Sequence, residues 1–140
     1  MKTHYIHLHP EPFSQVKNGT KNIECRVNDE KRKTFSVGDQ LVFENRGNGE
    51  KLFSIISNLY TYDTFSDLFE SHSPSMYGGT SKEDFLKNMQ QYYTKEDEGK
   101  FGVVGIEFSL IQPENIWRVL ITDTKIESIY YKKTVLFPYG

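Results

Sequence analysis

The chain contains no alanine, yet 20 of its 140 residues are aromatic: 9 tyrosines, 10 phenylalanines and 1 tryptophan. Alanine is the strongest helix former, whereas aromatic rings suit pleated, half-buried surfaces. Together these facts argue against a helical bundle and for a sheet-dominated fold with a few helices. So many aromatics also exclude a disordered chain. The length fits one domain, or one domain with an appendage, and is enough to bury a core without disulfides or metals.

The formal net charge of −2 does not suggest a protein that coats DNA through bulk charge. The charge is unevenly spread. Residues 1–60 carry nine Lys/Arg against seven Asp/Glu, residues 61–112 four against nine, and residues 113–140 four against three. The densest basic stretch, Lys17 to Lys33, holds six basic and three acidic residues. It reads either as a local basic patch or as a solvated loop. Cys25 is the single cysteine, so no internal disulfide forms, and a strand position suits it as a small buried hydrophobe. The first residues lack an apolar signal-peptide core, and no apolar run approaches the length of a membrane span. A cytoplasmic protein without a membrane-spanning segment is expected.

Periodicity divides the chain into elements. Thr3 to His9 alternates as a strand, with Ile6 and Leu8 on one face. Pro10 and Pro12 open a short helix to Lys17 that places Phe13 and Val16 on one side, and Asn18-Gly19 ends it. Lys21 to Val27 alternates again, with Ile23, Cys25 and Val27 opposite Asn22, Glu24 and Arg26. A polar loop over Asn28–Lys33 and a Val37-Gly38-Asp39 turn lead to a strand at Gln40–Glu44. Gly47-Asn48-Gly49 makes a hairpin turn into a long strand from Lys51 to Tyr62. Asp63 or Thr64 caps a helix bearing Phe65, Leu68 and Phe69. Ser81 with Asp84 starts a longer helix through Phe85, Leu86, Met89, Tyr92 and Tyr93. Thr94 with Asp97 repeats the start signal for one further turn. Phe101 to Leu110 is apolar on both faces and reads as a central strand. Beyond Pro113, Ile116–Thr122 and Lys125–Tyr131 read as two more strands, and Val135–Phe137 extends the second or forms a tail. Closely spaced strands early and helices later predict a bent sheet or partly closed barrel, with the helices at its mouth.

Nucleotide-binding glycine loops, a P-loop and a nucleophile elbow are all absent. His7 and His9 share a strand face, a geometry that suits a metal. No cysteine or acid joins them at a recognisable spacing, so surface imidazoles are the simpler account. No metal and no cofactor is expected. The phenylalanines fall at core positions. Tyr60, Tyr62, Tyr77, Tyr92 and Tyr93 are the candidates for stacking on bases, since a tyrosine hydroxyl needs a polar edge.

One stretch stands apart: Gly19-Thr20-Lys21-Asn22-Ile23-Glu24-Cys25-Arg26. This Gly-x-Lys-x-x-Glu-x-Arg pattern, followed by Val37-Gly38-Asp39, resembles the ASCH domain family, relatives of the PUA domain. Leu8-His9-Pro10-Glu11-Pro12-Phe13 is similar to the family's approach to its first helix. Tyr92-Tyr93 followed by Gly102–Glu107 is similar to its closing helix and strand. The resemblance covers roughly residues 2–111. It implies an α+β, PUA-like, partly closed mixed β-barrel with two to three helices near its mouth, over residues 1–112. Residues 113–140 would then be a β-rich C-terminal extension.

The resemblance further implies a cleft lined by Lys21, Glu24 and Arg26, in a family associated mainly with RNA binding. One branch is a small amidohydrolase of acylated cytidine that uses a Lys, a Thr and a Glu. Its Lys matches Lys21, but its Thr position holds Glu24. Its Glu belongs to the loop before the long helix, where His72 to Ser81 contains no acid and the nearest are Glu70 and Glu83. A threonine hydroxyl is a nucleophile once deprotonated, whereas a carboxylate there pairs with Lys21 or Arg26. Strict alternation also sets Lys21 opposite Glu24 and Arg26. All three converge only if the strand begins after Lys21 or bulges there.

Three readings follow. The first is an RNA- or nucleotide-binding domain whose ligand, a nucleotide or single-stranded RNA, meets Lys21, Glu24, Arg26, Lys31, Arg32 and Tyr93. The second is a small hydrolase of a modified nucleoside or RNA, with Lys21 and Glu24 as candidate catalytic residues. The third is a protein-interaction domain that docks a partner through residues 113–140, which carry Trp117, Tyr130, Tyr131, Phe137 and Tyr139.

Overall fold

Alternation at the start of the chain produces strand β1 (Thr3–Leu8), which buries Ile6 and Leu8 and leaves Tyr5 and His7 exposed. The protein is described by a computed structural model covering residues 1–111; the extension expected over 113–140 lies outside them. Pro10 opens α1 (Pro10–Lys17), which buries Phe13 and Val16. Gly19, at φ +84°, turns the chain out of the helix, a conformation that costs glycine no Cβ clash. The amides of Thr20 and Lys21 both donate to the Gln15 carbonyl, at 3.0 and 3.1 Å. These bonds hold Lys21 in the turn, so β2 (Ile23–Val27) begins two residues later than the alternation suggests.

After a short 3₁₀ turn at Arg32–Thr34, β3 (Gln40–Asn45) and β4 (Lys51–Tyr62) form the expected hairpin. Three helices follow, and each has a hydroxyl cap that accepts a backbone N–H two or three residues into the helix. Thr64 caps α2 (Phe65–Glu70), Ser81 caps α3 (Lys82–Tyr92) and Thr94 caps α4 (Lys95–Phe101). Asp97 returns the bond to the Thr94 amide, completing a capping box. This helix runs seven residues, longer than the single turn expected. β5 (Val103–Leu110) completes the described chain.

The described strands form one sheet in the order β1-β3-β4-β5-β2. β1 lies parallel to β3, and the other neighbours are antiparallel. β5 lies between β4 and β2, as its two apolar faces require. A bulge between Ile56 and Asn58 breaks the β4–β5 register, a device that bends and twists a strand. β1 and β2 are the two edges of the sheet, yet Arg26 on β2 donates to the His7 carbonyl on β1 at 3.5 Å. The sheet therefore curls until its edges approach, giving the expected partly closed, mixed barrel.

Two cores sit on opposite faces. Inside the curl, Ile6, Leu8, Leu41, Phe43, Ile56, Val104, Ile106 and Phe108 pack with Phe13 and Val16 of α1. Outside it, Ile23, Cys25, Val27 and Val103 pack against Phe65, Leu68 and Phe69 of α2 and Phe85 of α3. β2 thus gives its apolar parity to the helices and turns Glu24 and Arg26 the other way. No helix among the described residues is long and apolar enough to cross a membrane.

Candidate functional site

A cleft of about 710 Å³ opens where the edge strands approach, walled by α1 on one side and α3 on the other. Its size is that of a small-molecule site. Lys21, Glu24, Arg26 and Tyr93 all line it. The delayed start of β2 solves the parity problem: Lys21 lies in the turn before the strand and reaches back to Glu24. Its Nζ stands 2.6 Å from Glu24 Oε1, while Arg26 Nε donates to Glu24 Oε2 at 2.7 Å.

Glu24 is 3% exposed. Burial alone would raise its pKa, but Lys21 and Arg26 outweigh burial and hold it at about 2. Glu24 is therefore an anion and a hydrogen-bond acceptor throughout the physiological range. Desolvation works against the Arg26 charge too, but Glu24 and the Tyr93 hydroxyl more than compensate and raise its pKa. Cys25 points to the helix side, where burial pushes its thiol far above the ordinary range. The nucleophilic form is suppressed, in keeping with a packing role.

The remaining basic residues lie elsewhere. Lys31 is exposed and outside the cleft lining. Arg32 also stands outside the lining, at 12% side-chain exposure, with Nη1 3.9 Å from Asp29. Its Nε is buried without a hydrogen-bond partner among the described residues. Desolvation and then repulsion from Arg26 lower its pKa. The tyrosines divide. Tyr77, Tyr92 and Tyr93 line the cleft. Tyr77 is anchored by its hydroxyl on the Leu68 carbonyl and stacks on Phe69 at 5.0 Å. Tyr60 instead donates to Glu107 at 2.6 Å, a bond that pushes its own pKa up to about 12.

Several lining residues are not candidates for this cleft on sequence grounds. His7 and His9 come from β1 and its exit, Glu11 from α1, Arg46 from the β3–β4 turn and Asp84 from the first turn of α3. Asp84 puts an acid in the cleft although the loop before α3 has none. Its capping position in the sequence gives a structural reason for an acid there and so hides it. Among the described residues no three His, Cys, Asp or Glu side chains gather as a metal site.

Comparison with known proteins agrees with this geometry. The crystal structure of the hypothetical protein PH0355 is similar at 33% identity and a TM-score of 0.70, over 79% of this chain and all of that one. The solution structure of protein PF0455 from Pyrococcus furiosus is similar at 29% identity and a TM-score of 0.64, over 80% of this chain and 99% of that one. An ASCH domain from Lactobacillus crispatus shares the fold at 12% identity and a TM-score of 0.54, over 78% of this chain and 79% of that one. The comparison with curated proteins gives no match. The ASCH domain family matches the sequence over residues 6–112, a span that holds the whole sheet beyond its first strand residues and all three charged residues of the Lys21–Glu24–Arg26 cluster. The chain belongs to the ASCH domain family.

Proposed function

We propose that the cleft binds a nucleotide or a stretch of single-stranded RNA, with Lys21 and Arg26 meeting its phosphate or a base edge. One observation carries this reading: a single buried carboxylate, Glu24, is shared by two cations that line an open cleft. Glu24 neutralises one of the two charges, so the cluster keeps a net positive charge. Lys21 has three N–H donors and Arg26 has five. Arg26 gives one to Glu24 and one to the His7 carbonyl, and Lys21 is ion-paired with Glu24, which leaves further donors for an anion. Glu24 also orients Arg26, as a ligand-positioning carboxylate does. Lys31 and Arg32, on the loop after β2, extend the positive field beyond the cleft. The family's association with RNA supports the same reading.

Fluorescence anisotropy with a labelled single-stranded RNA at low salt tests it. The wild-type chain is expected to bind, and Lys21→Ala and Arg26→Ala to weaken binding. Each lost phosphate contact should flatten the log–log salt dependence by about 0.7. Near-UV circular dichroism confirms that the variants are folded. Equal affinity of wild type and the double variant would remove the reading. Turnover of an acylated nucleoside by the wild type, lost in Glu24→Gln, would replace it with the hydrolase alternative.

A further inference from the structure

His9 and Tyr92 face each other at the cleft, with ring centroids 6.3 Å apart and planes 30° from parallel. Phe65–Phe85 and His72–Tyr77 are as widely spaced, at 6.3 and 6.5 Å, but their rings meet edge to face at 72° and 84°. His4 stacks on Phe35 at 4.0 Å and Phe69 on Tyr77 at 5.0 Å, both with planes closer to parallel. Those pairs are in direct contact inside the fold. His9 and Tyr92 are exposed, Tyr92 at 55%. Neither ring makes a hydrogen bond to another described residue. His9 occupies the N-cap position of α1 without a side-chain cap bond, and Tyr92 is the last residue of α3. Neither ring supports a core, and both overlook the Lys21–Glu24–Arg26 cluster.

We propose that His9 and Tyr92 form a slot that takes one planar base of the ligand between them. Stacked bases lie about 3.4 Å apart. A base inserted between two rings therefore needs them about 7 Å apart, less than 1 Å more than the observed spacing. Both rings sit at element ends and are exposed, so a small opening disturbs no packing. This inference rests on the reading of the cleft as a nucleotide site and names its occupant: a nucleotide, or one unstacked residue of single-stranded RNA. The phosphate meets Lys21 and Arg26 while the base enters the slot. Stacking on both faces makes no demand on base identity. The slot therefore recognises the presence of a base, and the hydrogen-bonding groups around it would choose which one.

The test compares uridine 5′-monophosphate with ribose 5-phosphate, its base-free counterpart, as competitors of a labelled single-stranded RNA. The wild type is expected to prefer the nucleotide by about ten- to a hundredfold, the range for one stacked base. Tyr92→Ala and His9→Ala should erase most of that preference, and Tyr92→Phe should keep it. A preference unchanged in Tyr92→Ala and His9→Ala, with binding still weakened by Lys21→Ala, would overturn the slot and leave the cleft reading standing. No binding of RNA or of either competitor by the wild type would overturn both. The two exposed positions make folding a minor concern, and near-UV circular dichroism checks it.

Discussion

At the scale of single residues, Glu24 carries the most consequence. A carboxylate in a residue 3% exposed is costly unless it is paired, and here two cations pair with it. Removing its charge leaves Lys21 and Arg26 facing each other in a desolvated site. Glu24→Gln is therefore expected to destabilise the fold by about 3–5 kcal/mol, the cost of breaking a buried ion pair from one side. The pH dependence provides a sharper check. The pKa falls from an ordinary value of 4.5 to about 2 in the fold. In the unfolded chain the group takes up a proton below pH 4.5, while the folded chain resists until about pH 2. Its contribution to stability is complete above pH 4.5 and is lost as pH falls toward 2. Denaturant unfolding of wild type and Glu24→Gln across that window should show the stability gap closing as pH drops. A gap that stays constant from pH 5 to pH 2 would show that Glu24 is not held ionised by its two partners. Asp39, bonded to His4 at 2.8 Å, also has a lowered pKa, but it is common to both proteins and cancels from the comparison.

At the scale of elements, Gly105 shows how closely helix and sheet approach. It sits on β5 opposite Cys25 of β2 and Tyr60 of β4. A Cβ there would lie 2.8 Å from Leu68 Cδ1 of α2 and 3.2 Å from Ile23 Cγ2. Both neighbours are fully buried, so neither side chain has room to withdraw. Gly105→Ala should lower stability by about 1–3 kcal/mol through overpacking. Gly99→Ala is the counterpart: in α4 its Cβ meets nothing within 4 Å. It should stabilise the helix by up to about 1 kcal/mol. Thermal melts of the two variants are expected to move in opposite directions, and a shift of the same sign for both would contradict this packing account. The elements themselves were largely legible in the sequence. Phe13 and Val16, the hydroxyl caps at Ser81 and Thr94, and the doubly apolar Val103-Val104 each carry a local physical cause. The order of the strands was not, because alternation fixes which face is buried and says nothing of which strand lies alongside. The site divides in the same way. Lys21, Glu24 and Arg26 share one short segment and a recognisable pattern, whereas His9, Arg46, Asp84 and Tyr92 meet only through the tertiary fold.

At the scale of the molecule, the question is where the folding unit ends. Two cores and a lined cleft are already present within the described residues, 1–111. The family match ends at residue 112. Two relatives are matched over 99–100% of their own length by about four-fifths of this chain, so their sequences form the fold with little beyond this portion. The family match and the length of these relatives support the expectation of a self-sufficient domain that ends near residue 112. A chain truncated after Gln112 is therefore expected to be soluble, to melt in one cooperative transition and to keep the near-UV spectrum of the folded core. If the cleft binds RNA as proposed, the truncated chain should bind with unchanged salt dependence, because Lys21, Arg26, His9 and Tyr92 all remain. Aggregation or loss of cooperative melting would place residues 113–140 within the folding unit. Intact melting with weakened RNA binding would instead make those residues, with Trp117, Tyr130 and Tyr131, part of the binding surface. The truncation therefore separates a contribution to the core from a contribution to the ligand, which the full-length chain alone does not.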